Sequence, residues 1–343
     1  MTDTVTHDYN DLVRDRLNRL CKPPGSLGDL ESLAHRLCTT QQTLTPKTTP
    51  RRTVVFAADH GVTREGVTAW SSEVTASVVR LMQQQRTASG VFARALQCEY
   101  EVVDVGLLHP VESVSSSVQF INAAKRRGTG NLRCEPAMTV DDFDHVWQVG
   151  GRRAEAAASD GCHLVVGGEM GIGNTTSASC IVGLLADVDA SLVVGRGAGI
   201  DDAGLVRKRG VVCDATDRVR SLGDIDAKQV GRQVGGLEIV ALAGFYARAA
   251  DLGLTIVLDG FIATAAAILA ESIFQGSAQR MIAGHCSSEP GHRAALSHLG
   301  LTPLLDLNFR LGEATGALAA LPLIDLAAAM INDMATLDDL ENP

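Results

Sequence analysis

Apolar and polar positions change period several times along this chain, and each change predicts an element. Residues 8–42 repeat at helical spacing, interrupted by KPPGSLG (Lys22–Gly28), a rigid turn after which Leu30, Leu33, Ala34 and Leu37 mark a second amphipathic helix. TPKTTPRR reads as a linker. TVVFAAD (Thr53–Asp59) then has the length and β-branched content of a buried strand and ends in the polar stretch HGVTREGV. A helix is predicted over Ser72–Leu96. Strands are predicted over YEVVDVG (Tyr100–Gly106), CHLVVGG (Cys162–Gly168), LTIVLDG (Leu254–Gly260) and RMIAGH (Arg280–His285). Helical patterns cover Thr175–Leu185, Asp201–Arg220 and Gly236–Asp251, an Ala-rich helix follows LTIVLDG, and GEATGALAALPLIDLAAAMI closes the chain as an apolar helix.

Strands alternating with helices predict an α/β fold, a mostly parallel sheet with helices on both faces in a Rossmann-like three-layer core. In such sheets ligands bind beyond the carboxyl ends of the strands, where the loops after Asp59, Gly168, Asp259 and His285 would gather.

Composition narrows the function. A chain of 343 residues with 45% apolar side chains can bury a large core, and a net charge of −10 argues against a general nucleic-acid surface. The eight cysteines are scattered without a CxxC pair, so they read as reduced thiols of a cytoplasmic protein and not as a zinc site or disulfide framework. The N-terminal stretch lacks the apolar segment of a signal peptide. FIATAAAILA, the most apolar run, is too short to span a membrane.

Candidate chemistry concentrates in the loops. GGEMGIGNTTSAS (Gly167–Ser179) runs from a strand through a glycine-rich turn into a helix. Gly171 and Gly173 with Asn174, Thr175, Thr176 and Ser177 offer backbone and side-chain donors to an anion, although the same residues also suit a tight turn and a helix cap. VGRGAGIDD (Val194–Asp202) lacks the third glycine of a dinucleotide fingerprint and reads either as a flexible loop or as a site. In the second case Gly197 permits close approach, Asp201 or Asp202 accepts from sugar hydroxyls, and Arg196 or Lys208 faces a phosphate. In GHCSSEPGHR (Gly284–Arg293), His285, Glu289 and His292 match no zinc spacing, which leaves Ser287, Ser288 or Gly291 as candidates for phosphate or sugar contact. Asp59 and His60 could be catalytic or could organise their own loop, and Asp259 is equally ambiguous. LDLNFRLGEATGA (Leu305–Ala317) places Glu313 in the first turn of the last helix, with Phe309, Leu311 and Gly312 as the makings of a pocket for a flat ring. Burial would raise its pKa and the helix terminus would lower it, so a role as base requires desolvation to win.

KPPGSLGDLE, ADHGV, GEMGIGNTTSA, GRGAGIDD, LDGFI, GHCSSEPGH and RLGEATGA occur together, in an order that resembles the nicotinate-nucleotide:dimethylbenzimidazole phosphoribosyltransferase family. The resemblance covers about residues 10–335. It implies transfer of phosphoribose from nicotinate mononucleotide to 5,6-dimethylbenzimidazole in cobalamin lower-ligand assembly, with inversion at C1′. It further implies a homodimer with no metal or organic cofactor, and a smaller helical lobe. Residues 1–50 and 311–343 would build that lobe around a core domain of residues 51–310. Glu313 matches the family's catalytic glutamate, while Glu169 and Lys208 match positions at the ribosyl and phosphate end. Two departures stand out. Arg80–Leu96 is bulkier than the family pattern, which leaves the acceptor base open among benzimidazoles, purines and phenols, and Cys286 replaces an expected Gln. Two rivals remain: a dinucleotide-dependent oxidoreductase and a non-catalytic nucleotide-binding protein.

Overall fold

The computed structural model describes residues 9–114, 118–189 and 191–340. Residue 8, where the first helical pattern begins, and the ends of the two terminal segments (1–8 and 341–343) lie outside them.

The described chain runs α1 (Tyr9–Arg19), α2 (Asp29–Gln41), β1 (Arg51–Ala58), α3 (Glu73–Gln83), α4 (Ala88–Ala95), β2 (Glu99–Gly106) and β3 (Gln119–Asn122). It continues with α5 (Val140–Ser159), β4 (Leu164–Met170), α6 (Asn174–Leu185), α7 (Asp202–Arg220), α8 (Ala227–Val234) and α9 (Leu237–Asp251). The last elements are β5 (Thr255–Leu258), α10 (Phe261–Ile273), β6 (Met281–Ala283), α11 (His292–His298) and α12 (Thr315–Asp333). The six strands form one sheet in the order β3-β2-β1-β4-β5-β6, and every pairing is parallel.

Strand periodicity sends alternate side chains of β1 to opposite faces. Val54, Phe56 and Ala58 join a cluster with residues of α5 to α10, whereas Val55 and Ala57 join one with residues of α1 to α4 and α12. Both faces are therefore dry, which explains why the strands read as continuous apolar runs. The two ends of the chain meet on the second face, where the Cys21 N–H donates to Ala335 O at 2.7 Å and Leu20 bridges Thr336. α12 has the length and apolarity of a membrane span. Its buried Leu318, Leu321, Ile324 and Ile331 account for that composition by packing in the core.

Several elements differ from the sequence reading. The helix expected over Ser72–Leu96 is two helices, because Gln85 turns left-handed (φ 50°) and Thr87 caps a new start by accepting from the Gly90 N–H. β4 extends to Met170, so Glu169 belongs to a strand and not to the loop after it. β3, α5 and α8 lie in stretches where no element was expected.

Candidate active site

At the carboxyl end of the sheet, the loops after β1, β4, β5 and β6 enclose a cleft of about 580 Å³. Val67, Thr68 and Trp70 come from the loop after β1, and Glu169 to Thr175 from the end of β4 and the start of α6. β1 and β4 are the neighbours between which the strand order reverses, the place where open α/β sheets bind ligands.

One side of the cleft is polar. Gly173 occupies the N-cap of α6 at φ 98° and no side chain caps this helix. The positive end of its dipole therefore backs the wall that Gly171, Gly173, Asn174 and Thr175 line. Lys208 stands behind that wall, fully buried, and its Nζ donates to Thr175 Oγ1 at 2.8 Å and to Gly195 O at 3.1 Å. Burial lowers its pKa to about 8, opposed by the nearby Glu289. Gly197 lines the cleft and its N–H donates to Glu289 Oε1 at 3.0 Å. Ser287 lines it too, with a buried hydroxyl that has no hydrogen-bond partner among the described residues. The neighbouring His292 uses both ring nitrogens: Nδ1 accepts from the Ser287 N–H at 2.8 Å and Nε2 meets Thr264 Oγ1 at 2.9 Å. Desolvation lowers its pKa to about 3, so the ring is neutral. Among the described residues no group of three or more His, Cys, Asp or Glu is placed to hold a metal.

The other side is apolar. Ala88 and Phe92 of α4, Met170, Ile172, Phe309 and Leu311 bound a space suited to a flat ring. Ala88 and Phe92 belong to Arg80–Leu96, the stretch whose bulk the sequence reading set against the family pattern.

Acidic groups lie at the base. Glu169 lines the cleft, is almost wholly buried, and accepts a hydrogen bond from Asn174 Nδ2. Burial, reinforced by Asp259, Glu238 and Glu313, raises its pKa well above the usual carboxylate range. Glu313 does not line the cleft. It sits just behind, between Gly312 and Thr315, which do, and its Oε2 is 3.4 Å from Ser89 Oγ, next to cleft residue Ala88. Desolvation lifts its pKa to about 7 against the Ser89 hydrogen bond, with Asp259 adding to the rise. Nor does Glu313 occupy the first turn of α12: that helix begins at Thr315, and Gly312, Glu313 and Ala314 precede it at φ 83°, 60° and 68°. The carboxylate at the helix start is Asp259, whose Oδ1 accepts from the Gly316 and Ala317 N–H groups at 2.7 and 3.1 Å. The dipole that would have acidified Glu313 is answered by Asp259, and desolvation wins.

Gly312 is required at its position, since a Cβ there would lie 2.4 Å from Glu169 Oε1. Thr176 and Ser177 face inward from α6, where Ser177 Oγ donates to Val234 O at 2.6 Å. Asp201 caps α7 by accepting from the Gly204 N–H at 2.7 Å, and Gly291 packs against Val193 and Phe261; neither lines the cleft. Asp59 is wholly buried and accepts from the Leu108 N–H at 2.9 Å, the loop-organising alternative. Sequence reasoning missed Ser89, Tyr100 and Glu238. The last is fully buried and bonded to His60 Nε2 at 2.6 Å directly beneath Gly171.

A cleft at the strand-order reversal, a helix start without a side-chain cap and buried carboxyls make a site for a small anionic molecule, and the class of protein is given by the family model described as "Phosphoribosyltransferase", which matches residues 3–341. The relatives give the particular family. The nicotinate-nucleotide–dimethylbenzimidazole phosphoribosyltransferase of Chromobacterium violaceum is 44% identical over 95% of this chain and 94% of its own. That of Thermus thermophilus is 42% identical over 95% and 96%. The crystal structure of CobT from Thermus thermophilus superimposes with a TM-score of 0.92 at 40% identity, covering 97% of this chain and 98% of that one. The chain belongs to this family of phosphoribosyltransferases.

Proposed function

We propose that the enzyme transfers the 5-phosphoribosyl group of nicotinate mononucleotide to 5,6-dimethylbenzimidazole, in cobalamin lower-ligand assembly, as a cytoplasmic homodimer. The glycine-rich turn with Thr175 and Ser287 holds the 5′-phosphate, and Lys208 backs Thr175 from behind the wall with its positive charge. Glu169 lies opposite the cationic pyridinium and the charge that develops near C1′, which draws its proton off and favours the carboxylate.

The unprotonated nitrogen of the benzimidazole attacks C1′ with its lone pair. The bond from C1′ to nicotinate breaks, and its electron pair returns to the pyridine nitrogen, cancelling the ring charge. The N–H proton on the other benzimidazole nitrogen passes to Glu313, which acts as general base. Attack opposite the leaving group converts the β-nucleotide to α-ribazole 5′-phosphate. Binding both rings across one ribose turns a two-body encounter into a positioned reaction.

The observation that carries this reading is Glu313: a carboxyl desolvated to about 7, adjoining an apolar space for a flat ring. A base must be ionised, so turnover should be low below pH 6 and rise through about 7. In the test, nicotinate mononucleotide is supplied with a panel of benzimidazoles, purines and phenols, and the α-ribotides are identified by mass and chromatography. Glu313→Gln should lose about 10²- to 10⁴-fold in turnover while still binding nicotinate mononucleotide. Undiminished turnover in that variant refutes the assignment.

A further inference from the structure

A buried chain of hydroxyls ends on Glu313. Ser89, in the first turn of α4, is fully buried, and its Oγ lies 2.8 Å from Tyr100 OH on β2 and 3.1 Å from Thr87 Oγ1. Its third neighbour is Glu313 Oε2 at 3.4 Å, a long bond of the kind that tightens once substrate is in place.

A hydroxyl has one proton to give and two lone pairs to receive. The Tyr100 phenol, whose pKa burial raises, keeps its proton, and Ser89 is the one partner within hydrogen-bond distance that can take it besides Thr87. Thr87 spends a lone pair on the Gly90 N–H, which leaves its own proton free to point at Ser89. The two contacts allow Tyr100 and Thr87 both to donate into the lone pairs of Ser89 Oγ, and in that arrangement its single proton goes to Glu313 Oε2, the acceptor at 3.4 Å.

We infer that Ser89, held by Tyr100, is a positioning residue for the base: it reserves Oε2 of Glu313 as an acceptor and thereby assigns Oε1, which has no other hydrogen bond among the described residues, to take the proton from the incoming heterocycle. This rests on the assignment of Glu313 as base. The hydroxyl chain stabilises the ionised carboxylate against burial and against the other acidic groups that face it, Asp259 after β5 and Glu169 on β4.

The test is the pH profile of kcat/KM for Ser89→Ala and Tyr100→Phe in the full-length enzyme, with nicotinate mononucleotide and dimethylbenzimidazole as substrates. Ser89→Ala should move the acidic limb upward by about one pH unit, so that activity falls roughly tenfold at pH 6 and much less at pH 9. Tyr100→Phe should move the limb in the same direction by a smaller amount. Packing damage alone would lower the whole profile without displacing the limb. A Ser89→Ala limb superimposed on that of the unmodified enzyme overturns the proposal, and if that variant does not fold, an unmoved limb in Tyr100→Phe does so. Glu313→Gln is measured alongside: if it is inactive while the limb stays fixed, the base assignment stands and only the role of Ser89 falls.

Discussion

Two residues of separation decide what a carboxylate does at a helix start. Read as a first-turn residue, Glu313 should be acidified by the dipole; placed ahead of the helix, with Asp259 on the N–H groups instead, it is desolvated to about 7 from an ordinary 4.5. The folded protein therefore holds this proton more tightly than the unfolded chain. That contribution to stability is fully present below about pH 4.5 and is lost as pH rises through about 7. Glu313→Gln keeps the neutral form at every pH. It should be more stable than the unmodified protein at pH 8, by about 1–3 kcal/mol, with the difference vanishing near pH 4. Urea unfolding at the two pH values measures this, and an equal difference at both would show that Glu313 is not desolvated. Glu313 and Glu169 stood out as candidates because their motifs named them, and the fold buries both at the cleft or just behind it. Asp259 was only ambiguous, since its partners belong to a helix distant in the sequence.

At the scale of elements, the pattern found what repeats and missed what is held by single bonds. β1, β2, β4 and β5 appear as apolar runs because both faces of the sheet are covered. The break between α3 and α4 left no periodic trace, because it is one left-handed glutamine and one threonine cap. Signals for two unread helices were present in local chemistry: Thr139 with Asp142 and Asp226 with Gln229 form reciprocal capping boxes at the starts of α5 and α8. The left-handed run Gly312–Ala314 is what lets the last loop press against β4, and no periodicity announces it. Gly312→Ala tests that element. Its φ of 83° and a Cβ 2.4 Å from Glu169 Oε1 should cost about 2 kcal/mol or more and displace Glu169, lowering both Tm and kcat. A variant with unchanged Tm and turnover would mean that the close approach is not maintained in solution.

For the whole molecule, the cleft is a joint property of segments far apart in sequence: loops after four strands, the start of α4 and the residues before α12. That is why motif order pointed to these loops while the placement of single side chains stayed hidden, with Lys208 behind the wall, Asp201 on a different helix end and Ser177 turned inward. A ligand that bridges those segments stabilises the folded state through mass action, by about 2.7 kcal/mol when present at a hundred times its dissociation constant. In a chain of 343 residues, whose unfolding entropy is about 0.7 kcal/mol/K, this should raise Tm by about 4 °C. Nicotinate mononucleotide should produce that shift. Nicotinamide dinucleotides should not, because Gly195, Gly197 and Gly199 do not complete a dinucleotide turn, and Gly197 is instead tied to Glu289 at the cleft wall. The two ligands therefore separate the transferase from the oxidoreductase by a single thermal measurement. A larger shift with the dinucleotide would reverse the reading of the polar side of the cleft, while a shift with the mononucleotide that survives Glu313→Gln would place binding at the phosphate end and leave the proton transfer to Glu313 alone.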